Sequence, residues 1–109
     1  LGRAAAQGFR CVLDVGCGAG EMSLALARGH AAAQVIGVDI SSELIAVART
    51  RGAHLANVAF HHADASEWVG HDFAPDLIVS RHGVMFFDDP AAAFSHLRRI
   101  AAPGAALAF

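Results

Sequence analysis

The run Val12-Leu13-Asp14-Val15-Gly16-Cys17-Gly18-Ala19-Gly20 constrains the fold more than any other stretch of the chain. Val12, Leu13 and Val15 make a short apolar run, the pattern of a strand covered on both faces. Asp14 interrupts that run just before the turn. A carboxylate there is costly unless it accepts hydrogen bonds, so Asp14 is expected at the mouth of a sheet with donors around it. Gly16, Gly18 and Gly20 alternate with two small residues; glycine permits positive φ and a close approach of backbone to a ligand. Glu21 then opens an apolar-periodic segment of helical type. Strand, glycine turn and helix N-terminus together make a nucleotide-type site, on the expectation that the turn exposes backbone N–H groups. A purely structural turn would use the same residues.

The spacing narrows the ligand. A dinucleotide fingerprint G-x-G-x-x-G would require its third small residue at the position of Glu21. The pattern is instead G-x-G-x-G followed by an acid. An acid beside the turn suits a ligand carrying a cation better than a pyrophosphate.

Composition sets the outer limits. A chain of 109 residues is at most one domain, and a small one. Its hydrophobic fraction of 55% is raised by alanine, and no charge-free run approaches the roughly 18–20 residues needed to span a bilayer. No charged-then-apolar signal pattern opens the sequence. Cys11 and Cys17 sit in and beside the glycine strand, where a disulfide would distort the turn; they read as reduced thiols of a cytoplasmic protein. The net charge of −2 provides no electrostatic footprint for nucleic acid. All eight Lys+Arg positions are arginine, which rules out a P-loop lysine. Lysine-free, alanine-rich composition points to a GC-rich, bacterial-type genome. The seven histidines are scattered or adjacent, as His61-His62 are, and lack metal-ligand spacing.

Strands and helices alternate along the chain. Cys11–Val15 reads as strand one, and a helix follows from about Gly20 to Arg28, stopped by Gly29. Strand two is Ala33–Asp39. Ser41 or Ser42 caps a second helix with Glu43 in its first turn, a stripe of Leu44, Ile45, Val47 and Ala48, and Gly52 as its stop. Asn57–Ala63 is strand three, with Val58 and Phe60 inward. Ser66–Val69 suggests a short helical turn. Leu77–Ser80 is strand four, and residues 81–87 form a loop or short helix. Asp89-Pro90 starts a further helix with Ala93, Phe94, Leu97 and Ile100 inward, and Ala105–Phe109 is strand five. Right-handed crossovers then imply an α/β, Rossmann-like three-layer sandwich with a mostly parallel sheet. With strand one central, its order is 3-2-1-4-5, and ligands belong at the carboxyl ends of the strands.

Asp14, Asp39 and Asp64 fall at or near the ends of three successive strands, which lie on one edge of a parallel sheet, so the three carboxylates are expected to line one crevice. Asp39 lies nineteen residues beyond Gly20, where a carboxylate can accept both hydroxyls of a ribose. Asp64-Ala65 would suit the exocyclic amine of an adenine. Strand-end acids also cap following helices, and Asp39 before Ser41-Ser42 could do so.

In combination these segments resemble the class I S-adenosylmethionine-dependent methyltransferase core. Val12–Gly20 resembles that family's first motif, Val38-Asp39-Ile40-Ser41 the ribose-holding second, and Ala63-Asp64-Ala65 the third, near adenine. Pro75–Phe87 resembles the fourth-strand segment and Leu97–Gly104 the turn before strand five. The Ser-Arg-His-Gly-Val-Met-Phe-Phe run is similar to the ubiquinone/menaquinone-biosynthesis-like group of small-molecule methyltransferases. The family sheet continues with a further helix and an antiparallel strand pair. Those segments are not in this sequence, so the resemblance implies a single partial domain over 1–109, truncated before the C-terminal strand pair.

The resemblance implies transfer of a methyl group from S-adenosylmethionine to a small-molecule acceptor, without nucleic acid, membrane or metal. It places Asp14, Gly16, Cys17, Gly18, Asp39, Ile40, Asp64, Ala65 and Arg81 at the cofactor. His82 could serve as a base or simply line the pocket. Trp68 and Phe73 could cover adenine or pack beneath a loop. Met85, Phe86 and Phe87 could wall an acceptor pocket or form an apolar patch that further segments cover. Cys17 is assigned no nucleophilic role, and one ring of the His61-His62 pair is expected to be exposed. Two rivals stand beside this reading: a non-catalytic cofactor-binding domain, and a nicotinamide-dependent oxidoreductase. The second lacks the tyrosine and lysine that a short-chain dehydrogenase would need.

Overall fold

A computed structural model describes residues 9–70, 73–80 and 89–108. β1 (Cys11–Val15) occupies the middle of the sheet because its apolar side chains alternate onto two covered faces. β2 (Gln34–Asp39) and β4 (Leu77–Val79) flank it, with β3 (Val58–His62) and β5 (Ala106–Ala108) outside. The order is β3-β2-β1-β4-β5 and every pairing is parallel, as expected from the sequence. Strand boundaries shift by a residue or two from the expected ones.

The helices divide between the two faces. Leu13 and Val15 pack with Val38, Ile78 and Leu97, the last from α3 (Pro90–Ile100). Val12 points the other way, with Val35, Leu77, Val79 and Ala27 of α1 (Glu21–Gly29). Ile45 and Ala48 of α2 (Ser42–Arg51) cover the same side, packed with Cys17, Leu24 and Phe60. Three layers result, and each fully buried Leu, Ile or Val contributes about 1.5–3 kcal/mol relative to exposure.

Local chemistry sets the helix ends. Ser41 caps α2 by accepting from Leu44 N at 3.2 Å, and Asp89 caps α3 by accepting from Ala92 N at 3.1 Å. Gly29 lies inside α1, whose C-cap is His30. Three carbonyls at that end, Ala27, His30 and Ala33, accept from Asn57 Nδ2 at 3.0, 3.2 and 3.0 Å. Gly52 does end α2, at a φ of −97°. It is there for space: a Cβ would come within 3.0 Å of Leu24 and 3.1 Å of Phe60.

Three expectations need correction. Leu44 and Val47 are 41% and 47% exposed, because the two-residue face Ile45–Ala48 is all that the sheet covers. The short helical turn expected over Ser66–Val69 lies a residue or two earlier, at residues 65–67, with Glu67 N and Trp68 N donating to Asp64 O. Both His61 and His62 are exposed, since β3 is an edge strand.

Candidate cofactor site

Parallel pairing brings the ends of β1 and β2 side by side, with Asp14 opposite Gly37 and Val15 opposite Val38. The chain leaves β1 through Gly16, Gly18 and Gly20 at φ of 68°, 57° and 89°. These left-handed angles are strained for residues with a Cβ. A Cβ at Gly18 would meet no protein atom within 4 Å, so the packing of the fold does not require glycine there. A Cβ at Gly20 would come within 2.9 Å of Phe60, so that position is closed by the core.

The turn does not offer its amides as expected. Gly16 N and Cys17 N both donate to Val38 O, at 2.9 and 3.0 Å. Gly18 N donates to Asp39 Oδ2 at 2.9 Å, and Asp39 Oδ1 accepts from Ser41 N at 2.8 Å. Three N–H groups that could cradle a phosphate are thus used inside the fold. Asp39 joins the glycine turn to the start of α2, and a carboxylate still has acceptor capacity after two such bonds.

A cleft of about 340 Å³ opens along this turn, lined by Asp14, Gly16, Cys17, Gly18, Ala19, Glu21 and Met22. Asp14 is 2% exposed, and Ser23 Oγ donates to its Oδ2 at 2.7 Å. Cys17 packs into the core, and burial pushes its thiol far above the ordinary range, with the charges of Asp14 and Asp39 adding to the effect. Cys17 is therefore a protonated wall residue in a field of negative sign. Ile40 stands 66% exposed beside Asp39, an apolar surface at the rim.

The third acid is placed differently. Asp64 is exposed, and its Oδ1 accepts from Ser66 N and Ser66 Oγ at 2.9 and 2.6 Å. It shares the sheet edge with Asp14 and Asp39, but of the three acids expected to line one crevice only Asp14 lines the cleft, because the carboxylate of Asp39 is turned to Gly18 N and Ser41 N. The Ala65 methyl is buried with Leu13, Val15 and Leu97, so only its backbone is available to a ligand. Trp68 and Phe73 pack edge to face at 6.0 Å over the same core, which favours packing over a ring-covering role. Arg81, His82, Met85, Phe86 and Phe87 lie outside the described residues.

The sequence reading missed Ser23, Asn57, Asp76 and His96. Asp76 Oδ2 and Oδ1 accept from Arg10 N and Cys11 N at 2.8 and 3.0 Å, fixing the start of β1. His96 is buried, with Nε2 2.6 Å from Trp68 O. The usable signal for Ser23 was a small polar residue on the buried side of an apolar-periodic helix.

A parallel sheet with a positive-φ glycine turn after its central strand and an acid after the next is the architecture of an adenosine-binding α/β domain. The chain belongs to the methyltransferase-domain family, which matches residues 12–104 and so spans every candidate site residue. It is 35% identical over 108 residues to a trans-aconitate 2-methyltransferase of Acidovorax sp. (strain JS42), covering 99% of this chain and 40% of the relative. It is 35% identical over 103 residues to a malonyl-[acyl-carrier protein] O-methyltransferase of Brevibacillus brevis, covering 92% of this chain and 37% of the relative. A SAM-dependent methyltransferase from Geobacter sulfurreducens, solved in complex with S-adenosyl-L-homocysteine, is similar at TM-score 0.72 and 32% identity. That likeness covers 87% of this chain and 39% of the other. The StiE O-MT structure, at TM-score 0.85 and 21% identity, shares the fold. The chain spans about two fifths of the length of the curated relatives it matches.

Proposed function

We propose that this chain, a single partial domain over residues 1–109, is the cofactor-binding core of an S-adenosylmethionine-dependent methyltransferase acting on a small-molecule acceptor. One observation carries the reading. Asp14 and Asp39 flank a positive-φ glycine turn whose Gly16, Cys17 and Gly18 amides are bonded within the fold. Such a cleft favours a cationic head over a phosphate. It fits the donor set of the proposed cofactor, whose ends are an ammonium, two ribose hydroxyls and a flat purine.

Asp14 would accept from the ammonium and Asp39 from the ribose hydroxyls. Ile40 would cover one face of the adenine, with Asp64 and the Ala65 backbone at its edge. Gly16, Cys17 and Gly18 would let the backbone run close beneath, and Arg81 would stand at the amino-acid end. When bound, the sulfonium supplies an activated methyl group with a good leaving group. The residues of this chain then bind, orient and exclude water, the positioning that dominates catalysis of such transfers. Two relatives are named for trans-aconitate and malonyl-[acyl-carrier protein], which supports an acceptor that is neither nucleic acid nor membrane. No helix among the described residues is long and apolar enough to cross a membrane; a cytoplasmic location accords with the two free thiols.

Titration calorimetry on the full-length protein tests the proposal. S-adenosylmethionine and S-adenosylhomocysteine should bind, and NAD should give no heat. Asp39→Ala should weaken binding by about 1–3 kcal/mol, the range for hydrogen bonds to a charged group. NAD binding without either adenosyl ligand would overturn the assignment, and unchanged affinity in the variant would remove Asp39 from the site.

A further inference from the structure

Asp14 belongs to β1 and lines the cleft, yet it is 2% exposed. Its carboxylate sits on the α1 face of the sheet, on the same side as Val12. A buried carboxylate is costly unless donors hold it, and which way its oxygens face depends on those donors. Ser23, in the first turn of α1 and 0% exposed, donates from Oγ to Asp14 Oδ2 at 2.7 Å. A helical serine has a local alternative, the carbonyl four residues back, which is Ala19 O. Ala19 O instead accepts from Arg51 Nη1 at 3.1 Å, and the single hydroxyl proton of Ser23 is directed across to the strand. Nothing about packing alone requires a hydroxyl at a fully buried helical position.

We propose that Ser23 is a positioning residue for the cofactor's amino-acid end: its hydroxyl fixes the rotation of the Asp14 carboxylate so that an oxygen faces the cleft and accepts from an ammonium. The inference rests on the proposed adenosylmethionine reading. It adds a residue that makes no ligand contact of its own and acts through Asp14.

The test separates this role from packing by comparing two ligands. S-adenosylhomocysteine carries the amino-acid end; 5′-methylthioadenosine has the same adenosine and thioether without it. On the full-length protein, Ser23→Ala should weaken S-adenosylhomocysteine by roughly tenfold, as expected for losing a hydrogen bond to an ionised group. Its affinity for 5′-methylthioadenosine should be unchanged. Ser23→Cys keeps the volume with a poorer donor and should fall between wild type and Ser23→Ala. In an Asp14→Asn background the Ser23→Ala effect should shrink, since both act through one interaction. Equal weakening of both ligands would overturn the proposal in favour of general packing, as would no weakening of either. If wild type binds neither ligand, the adenosylmethionine reading itself fails and takes this inference with it.

Discussion

Cys17 sits in a ligand-lining turn but has the surroundings of a core residue. It packs with Leu24, Ile45, Ala48 and Phe60, and its thiol is held protonated by burial first and by Asp14 and Asp39 next. Thiolate is the reactive form, so Cys17 in the folded protein should resist iodoacetamide at pH 8 and react once the chain is unfolded. The same shift has a stability consequence of definite sign. Below the unfolded thiol's pKa of 9.0 the proton is bound in both states and pH has no leverage through Cys17. Above it the unfolded chain releases the proton and the folded chain keeps it, so stability falls progressively as pH rises toward the raised folded value. Cys11, also raised, by burial and then Asp76, pulls in the same direction. Melting temperatures from pH 8 to about 10.5 should therefore decline less steeply in Cys17→Ala than in wild type. Equal slopes would show that the thiol titrates alike in both states.

At the scale of elements, β2 carries its information in a glycine. Gly37 lies mid-strand opposite Asp14, and a Cβ there would come within 2.8 Å of Phe60 and 2.9 Å of Cys17. Gly37→Ala should destabilise the fold by about 1–3 kcal/mol through overpacking, read from denaturant midpoints. Gly29→Ala, with nothing within 4 Å, is the control and should cost nothing or add up to about 0.5–1 kcal/mol. A neutral Gly37→Ala would mean that the Cys17–Phe60 contact gives way easily. The elements themselves were legible where their signals are local: alternating apolar residues in β1, caps at Ser41 and Asp89, glycines at the turn. For the candidate site, strand ends and glycines sufficed to find Asp14, Gly16 and Gly18, which line the cleft, and Asp39, which bonds Gly18 N beside it. What stayed hidden depends on partners far along the chain. Ser23 meets Asp14 nine residues away, Asn57 reaches Ala27 across thirty, and Asp76 holds Cys11 across sixty-five. The α2 stripe is narrower than its apolar residues suggest, because Leu44 and Val47 carry no mark of which face the sheet will cover.

For the whole molecule, parallel order places every strand's carboxyl end on one edge, and the two edges then do different work. The amino edge is locked by Asp76 binding Arg10 N and Cys11 N, and by Ala102 N donating to Pro75 O at 2.9 Å. The carboxyl edge carries the cleft and the turns at 16–18 and 39–41, which are held to each other through Asp39 and to the core through Cys17 and Val38 O. Between them β1 and β4 are buried, whereas β3 and β5 lie at the sheet's margins with exposed residues in each, although Phe60 of β3 is buried. Amides of β1, β2 and β4 should exchange only on global opening, and those of β3 and β5 through local fraying. Deuterium exchange with S-adenosylhomocysteine then gives a spatial forecast. Added protection should appear at residues 16–20 and 39–42, because a ligand bridging the glycine turn and the end of β2 must suppress their separation. No such local gain should appear at residues 9–11 and 75–77, which close the opposite edge. Amides of β1 and β4, which exchange on global opening, should slow only by the factor by which ligand binding raises global stability. Protection concentrated at the amino edge, or none anywhere under saturating ligand, would show that the cleft beside Asp14 is not where the cofactor binds.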